Sequence, residues 1–289
     1  MLDDLSSGRI ENLATGARLI RGDVTDAAAL RRAMEGVDGC FHLAAIASVE
    51  LCRREWMRTH AVNLGGTIRV LEAARDAAVP VVYASSAAVY GDQARLPISE
   101  DALPRPLSSY GADKLGSELH ARAGGAMHGI RSCGLRFFNV FGPRQDPRSP
   151  YSGVISIFAA AIAEGRPVII HGDGGQTRDF IHVSDVVGAL FAGLRAAGTD
   201  APVFNVCTGR PTSILDLVAT IGGIAGRGAV VTPGPARLGE IRHSYGDPGA
   251  MRAALGVGEP LALREGLASL LDWIGAGQPG LAGEEPGRR

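Results

Sequence analysis

Residues 81–91 read VVYASSAAVYG and residues 108–120 read SSYGADKLGSELH. The first stretch is an apolar run that ends in Ser85 and Ser86, so a buried strand delivers two hydroxyls to its C-terminal end. In the second, a helix beginning near Ser109 sets Tyr110 and Lys114 one turn apart on one face. A strand, a polar Pro-rich loop and a helix in this order form a βα unit of an α/β protein.

Those three side-chain types can move a proton and hold a nicotinamide, each for its own reason. A free phenol has a pKa of about 10, so a phenol working as a base near neutrality needs roughly 4 kcal/mol of preference for its ionised form. A lysine ammonium at i+4, helped by a positively charged oxidised nicotinamide, is a neighbour that supplies such a preference. The Ser86 hydroxyl both donates and accepts, so it can bridge a substrate oxygen and Tyr110. Tyr-x-x-x-Lys alone arises by chance on amphipathic helices; the strand ending in Ser-Ser before it makes the pattern specific.

Outward from this unit, short strands alternate with longer helices through the first half of the chain, the signature of a parallel sheet with helical crossovers. Strands are expected at Ala17–Ile20, Val37–Ala44, Val79–Ala84 and Ile130–Arg136, and helices at Ala27–Met34 and from about Thr59 to Asp76. The expected architecture is a doubly wound parallel α/β sheet. Later in the chain, helix Tyr151–Ala163, strand Pro167–His171 and a late strand Val203–Val206 are expected. In His182-Val183-Ser184-Asp185, Ser184 or Asp185 is expected to cap a helix, with His182 a hydrogen-bonded core residue.

Composition narrows the classes. Lys+Arg 29 against Asp+Glu 30 in 289 residues gives a formal charge of -1, and so no electrostatic reason to expect nucleic acid or an anionic membrane as partner. Cys40, Cys52, Cys133 and Cys207 are scattered with no paired metal spacing, which suits reduced thiols, a cytoplasmic location and no metal. The longest apolar run, Val154–Ala163, is too short to span a bilayer.

The opening Met1-Leu2-Asp3-Asp4 reads as the end of a strand, with an acid placed to accept hydrogen bonds from an adenosine ribose. In dinucleotide folds that acid follows a Gly-rich turn by about 20 residues. The clusters Gly172–Gly175, Gly124–Gly129 and Gly222–Gly228 read as ordinary cap and turn glycines. The first strand, phosphate-binding turn and first helix are therefore expected to be missing from these 289 residues.

The ordered motifs LDDLSSGR, GDVTD, HLAA, NLGGT, SSAAVYGD, YGADK, GLRFFNVFGPRQDP, GDGGQTRDFIHVSD, VFNVCTG and GEIRHSYGD, running from Leu2 to Asp247, give the chain its resemblance. It resembles an extended short-chain dehydrogenase/reductase of the NAD-dependent epimerase/dehydratase family, similar to UDP-glucose and UDP-N-acetylglucosamine 4-epimerases. The resemblance implies a Rossmann-like cofactor domain over residues 1–146, a smaller α/β substrate lobe over 147–274 with segments near 176–208 returning to the first domain, and a disordered tail over 275–289. It implies NAD as cofactor and a UDP-sugar as substrate. Ser86, Tyr110 and Lys114 take the catalytic positions. Asp3, Asp23, Val24, Leu43, Ala44, Ala45, Asn63 and Phe138 match cofactor-side positions, and Asn139, Arg178, Arg237 and Ser244 substrate-side ones. Arginine suits a diphosphate because its planar fork bonds two oxygens while staying charged.

Dehydratases of this family carry an acid after the catalytic hydroxyl to protonate a leaving group, whereas Ala87 and Ala88 follow Ser86 here. The resemblance therefore implies redox-neutral 4-epimerisation. A small residue at Ser244 implies room for a 2-acetamido group, hence UDP-GlcNAc/GalNAc, alone or with UDP-Glc/Gal. The alternatives are a UDP-glucuronate 4-epimerase or a cofactor-deficient fragment. A homodimer through helices Thr59–Asp76 and Ser109–His128 is also implied.

Overall fold

The structure is a computed structural model that describes residues 1–147, 149, 153–236 and 239–276. In chain order its strands and helices begin β1 (Leu2–Asp3), β2 (Ile20–Arg21), α1 (Ala27–Met34), β3 (Cys40–His42), α2 (Val49–Arg54), α3 (Trp56–His60), α4 (Gly66–Ala77), β4 (Val81–Ser86), α5 (Ser109–His128), β5 (Ser132–Phe137) and β6 (Asn139–Phe141). They continue α6 (Val154–Ala163), β7 (Val168–His171), β8 (Thr177–His182), α7 (Val183–Ala196), β9 (Val203–Val206), β10 (Pro211–Ser213), α8 (Ile214–Ile224), β11 (Val231–Gly234), β12 (His243–Ser244), α9 (Gly249–Leu255) and α10 (Leu263–Gly275).

The central sheet runs β3-β4-β5-β9, all parallel, and β1 pairs with β2 in a second parallel ladder. Strand β4 is central because its side chains are apolar toward both faces. Val81 and Tyr83 point into the core beneath α1 and α4, while Val82 points into the core shared with α7 and α9. All three are fully buried, which stabilises the strand by about 1.5–3 kcal/mol per large side chain. Helices thus cover both sheet faces, as the alternating pattern predicts for a doubly wound fold.

A second body of structure is built on β8, which pairs with β10 antiparallel and with β12 and β6 parallel. Strands β7 and β11 form a parallel pair beside it. Its core joins Phe141, Ile155, Phe158, Ile162, Phe180, Leu217, Ile221, Leu267 and Leu270.

Several expected boundaries move. The backbone ladder covers only Ile20–Arg21 of the run read from Ala17, and only Cys40–His42 of Val37–Ala44. Val203–Val206 does join the central sheet, beside β5, but Thr177–His182 belongs to the second one. Helix α6 starts at Val154; Tyr151 lies outside the described residues. Gly275 is the last residue of α10 and Ala276 its C-cap, so the expected tail begins inside ordered structure, and 277–289 lie outside the described residues. The cap of α7 is His182, whose ring nitrogen accepts from Ser184 N, and not Ser184 or Asp185. An imidazole acceptor at that spot does the work usually given to a hydroxyl or carboxylate.

The glycine clusters are only partly turns and caps: Gly124 and Gly125 lie inside α5, and Gly222 and Gly223 inside α8. Gly129 (φ +66°) closes α5 in the left-handed conformation, and Gly172 and Gly174 (φ +72° and +73°) turn the chain between β7 and β8. No helix among the described residues is long and apolar enough to cross a membrane, and no cluster of three metal-ligating side chains occurs among them.

Candidate active site

The carboxyl ends of β3, β4, β5 and β9 face one edge, the place where parallel α/β sheets bind ligands. Strand β4 ends at Ser86, whose hydroxyl accepts from Ala88 N at 3.1 Å and so caps the tight turn over residues 87–89. Ser108 caps α5 by accepting from Gly111 N at 3.1 Å. Gly111 permits the helix start to press against that turn: a Cβ there would lie 2.5 Å from Ala88 O. Ser86 and Tyr110 are brought together by these two turns.

Lys114 is 3 % exposed, and its Nζ donates to Ala84 O at 2.8 Å, 5.7 Å from the centre of the Tyr110 ring. Burial pushes its ammonium down to about 8, partly offset by the Asp113 carboxylate. In this arrangement the Lys114 ammonium bonds Ala84 O and not the Tyr110 hydroxyl. Burial pushes the phenol up, and the Ser86 hydroxyl beside it offsets part of this. The ammonium is turned toward the end of β4 and the phenol faces Ser86.

The remaining cofactor-side candidates divide into two groups. Asp3 and Asp23 lie at the ends of adjacent strands, Asp3 accepting from Leu5 N and Asp23 from Thr25 N and Oγ1. Leu43 is 49 % exposed, and Ala44 and Ala45 follow it out of β3 onto the same open edge. The other three turn inward. Val24 is buried under α4, where a Cβ on Gly66 would meet it at 2.7 Å. Asn63, 1 % exposed, spends its carboxamide on Ile46, accepting from Ile46 N (2.8 Å) and donating to Ile46 O (3.1 Å), so it shapes the loop after β3. The Phe138 ring is buried beside Gly246 and Cys207. A side chain locked in the core leaves only its backbone to face a ligand.

On the substrate side, β12 brings Ser244 beside Arg178 of β8 in register, and Asn139 opens β6 against the same strand at Phe180. Arg178 donates to Thr177 O at 2.9 Å and lies 3.3 Å from Glu240, an acid not singled out from sequence. Arg237 lies outside the described residues. Asp179 is fully buried and accepts from Thr208 N, Thr208 Oγ1, Gly209 N and Gly246 N, joining β8 to the loop after β9.

A second buried constellation went unread. Glu118 on α5 pairs with Arg136 of β5 through two hydrogen bonds, 2.9 and 2.7 Å, and accepts from Ser85 Oγ at 2.5 Å. Arg136 also donates to Tyr90 Oη (2.8 Å), which donates to Asn205 Oδ1 (2.6 Å). The available signal was the spacing: Glu118 follows Lys114 by four residues on one helix face.

A dinucleotide fits these residues on one observation. Among the described residues Lys114 makes a single hydrogen bond, so two of its three ammonium donors remain for ligand hydroxyls in a site otherwise closed to water. Asp3 adds an acceptor at a strand end, where ribose hydroxyls would need one.

Residues 1–207 match the NAD dependent epimerase/dehydratase family. The UDP-glucose 4-epimerase of Mycolicibacterium smegmatis is 38 % identical over 282 residues, covering 94 % of this chain and 89 % of its own length. Two solved structures, each 32 % identical, superpose closely. A UDP-N-acetylglucosamine 4-epimerase from Methanobrevibacter ruminantium, in complex with UDP-N-acetylmuramic acid, has a TM-score of 0.90 and covers 96 % of this chain and 90 % of its own. The Thermus thermophilus UDP-glucose 4-epimerase complex with NAD has a TM-score of 0.85, covering 94 % and 89 %.

Proposed function

This chain belongs to the NAD-dependent epimerase/dehydratase family, and from that premise we propose that it is a UDP-sugar 4-epimerase acting through a 4-keto intermediate. One observation carries the choice of reaction. Ser86, Tyr110 and Lys114 meet at the sheet edge with Ala87 and Ala88 as the next residues, so no carboxylic acid follows the serine. Of the two carboxylates buried nearby, Asp113 is paired through Oδ1 with His60 at 2.7 Å and Glu118 through both oxygens with Arg136. Neither carboxylate stands free as an acid after the serine, whereas Tyr110 can remove and return the proton of the 4-hydroxyl.

In this mechanism Tyr110 takes the proton of the sugar 4-hydroxyl, and Ser86, beside it, orients that hydroxyl. NAD, the family's cofactor, supplies the acceptor and donor for the C4 hydride. Lys114 holds ribose hydroxyls with its remaining donors and presents a positive charge near the developing phenolate. The ketone turns over about the diphosphate link, and Tyr110 returns its proton to the opposite epimer. Arg178, Arg237 and Asn139 are assigned to the diphosphate, residues 1–146 with α7 and β9 to the cofactor half, and the rest of 147–274 to the substrate half.

Substrate choice rests on Ser244. Register partners in a parallel pair point to the same sheet face, so a larger side chain at 244 would project beside Arg178. Ser244→Tyr is expected to lower UDP-GalNAc turnover by about tenfold or more while leaving UDP-Gal turnover within about threefold. Steady-state rates on both sugars check this; equal losses on both would remove Ser244 from sugar selection.

We further propose a homodimer through the outer faces of α4 and α5, in the cytoplasm. Leu119 and Met127 are 60 % and 75 % exposed on α5, and a groove lined by Leu71, Glu72, Arg75, His120, Ala123 and Met127 lies between the helices. Light scattering at micromolar concentration should give twice the chain mass; a monomer would contradict this interface.

A further inference from the structure

Helix α5 carries Tyr110 and Lys114, yet its buried residues are Gly111, Asp113, Lys114, Ser117, Glu118, Ala121, Gly124 and Gly125. None is a large apolar residue. Leu115 is partly buried, and Leu119 and Met127 face outward. A helix is ordinarily fixed on a sheet by interlocking of bulky side chains, whose close packing admits one arrangement. Glycine and alanine let α5 approach closely, with Leu64 packed at Gly116 and Ile130 at Gly124, so the helix takes up its neighbours' side chains and contributes few bulky ones of its own. The side chains it does contribute to that interface are largely polar.

Several polar contacts span that interface, four of them from the buried stretch that follows Tyr110. His60 Nδ1 meets Asp113 at 2.7 Å, Lys114 reaches Ala84 O, and Ser117 Oγ donates to Thr67 Oγ1 at 3.2 Å. The fourth is the strongest and most directional: the Arg136 guanidinium grips both oxygens of Glu118, fork to fork, with side chains only 8 % and 7 % exposed. Ser85, the residue before Ser86, completes the carboxylate's shell. The guanidinium is fixed in turn by Tyr90 Oη and Glu100 O, and Tyr90 by Asn205 of β9. Glu118 lies one turn beyond Lys114 and two beyond Tyr110.

We infer that Glu118 and Arg136 are positioning residues for the proton-transfer site: their pair fixes α5, and with it Tyr110 and Lys114, against the strand end that presents Ser86. The effect on turnover rests on the 4-epimerase reading; the geometry does not. A buried ion pair is a poor source of net stability, because desolvating two charges offsets much of their attraction, and apolar replacements of similar volume are often neutral or stabilising. Position and stability can therefore be separated by experiment.

The test compares wild type, Glu118→Gln, and a triple variant with Glu118→Leu, Arg136→Met and Ser85→Ala, by thermal melting, steady-state kinetics with saturating NAD, and crystallography. The triple variant should melt within about 5 °C of wild type. Its kcat should fall about 10- to 100-fold, with KM for the UDP-sugar within about threefold, because a misplacement on the order of 1 Å costs that much. Glu118→Gln, which keeps the volume and part of the hydrogen bonding, should fall between the two. In crystals of either variant the Tyr110 Oη to Ser86 Oγ separation should differ from wild type by roughly 0.5 Å or more. An unchanged separation in a folded variant, or an unchanged kcat, would overturn the positioning role. If the triple variant does not fold, Glu118→Gln decides on the same readings. A wild-type protein without epimerase activity would instead sink the 4-epimerase reading, and the crystallographic separations would still decide whether the pair positions α5.

Discussion

Tyr110→Phe should reduce kcat by about 10²–10⁴-fold, the usual range for removing a general acid–base group, while UDP-sugar affinity stays within about threefold of wild type. The ring remains to pack beneath the substrate, and Ser86 keeps its bond to Ala88 N, so the turn that shapes the site persists. What is lost is the one ionisable group that faces Ser86. The nearby carboxylates are bound elsewhere: Glu118 by Arg136, and Asp113 through Oδ1 by His60. The check is a single-turnover rate beside a calorimetric binding isotherm. A variant that keeps more than a tenth of wild-type kcat would take Tyr110 out of proton transfer.

Asp179→Ala should be the most damaging substitution to the fold among the residues discussed. The carboxylate is fully buried, and its two oxygens accept from three backbone N–H groups and one hydroxyl. Burial alone would push its pKa up, and these donors oppose that. Removing it strands the donors of Thr208, Gly209 and Gly246 in the interior at a cost of about 3 kcal/mol or more. For a chain of this size that is a fall in melting temperature of roughly 6 °C or more. The same contacts join β8 to the loop after β9, so the site beside Ser244 and Arg178 should loosen as well. A melting temperature within about 2 °C of wild type would show that water or a backbone shift replaces the carboxylate.

How much of this was legible in the sequence depended on whether a residue acts locally. The strand ending in Ser86 and the helix starting near Ser109 follow from local pattern, because alternation and helical spacing are properties of neighbours in sequence. Burial was legible too, but backbone pairing was not: the apolar runs at Ala17–Ile20 and Val37–Ala44 contribute ladders of only two and three residues. His182 was recognised as a core residue but not as the cap of α7, since caps are sought among short oxygen-bearing side chains. Val24, Asn63 and Phe138 sit where their motifs place them in the chain. Their side chains, however, pack inward, and the direction of a side chain depends on what lies above it. The direction taken by the Lys114 ammonium, toward Ala84 O, is likewise a property of what lies above it and not of its i+4 spacing from Tyr110. The Glu118–Arg136 pair spans two elements, and neither residue signals its partner.

The most direct measurement follows UDP-GlcNAc and UDP-Glc, each carrying deuterium at C4, through incubation of the purified protein with NAD. Proton NMR should find the C4 epimer forming from at least one of the two, with the deuterium retained at C4 and no net accumulation of reduced nicotinamide. Loss of the label to solvent, or no epimer from either sugar with a folded protein, would contradict redox-neutral 4-epimerisation at Ser86, Tyr110 and Lys114.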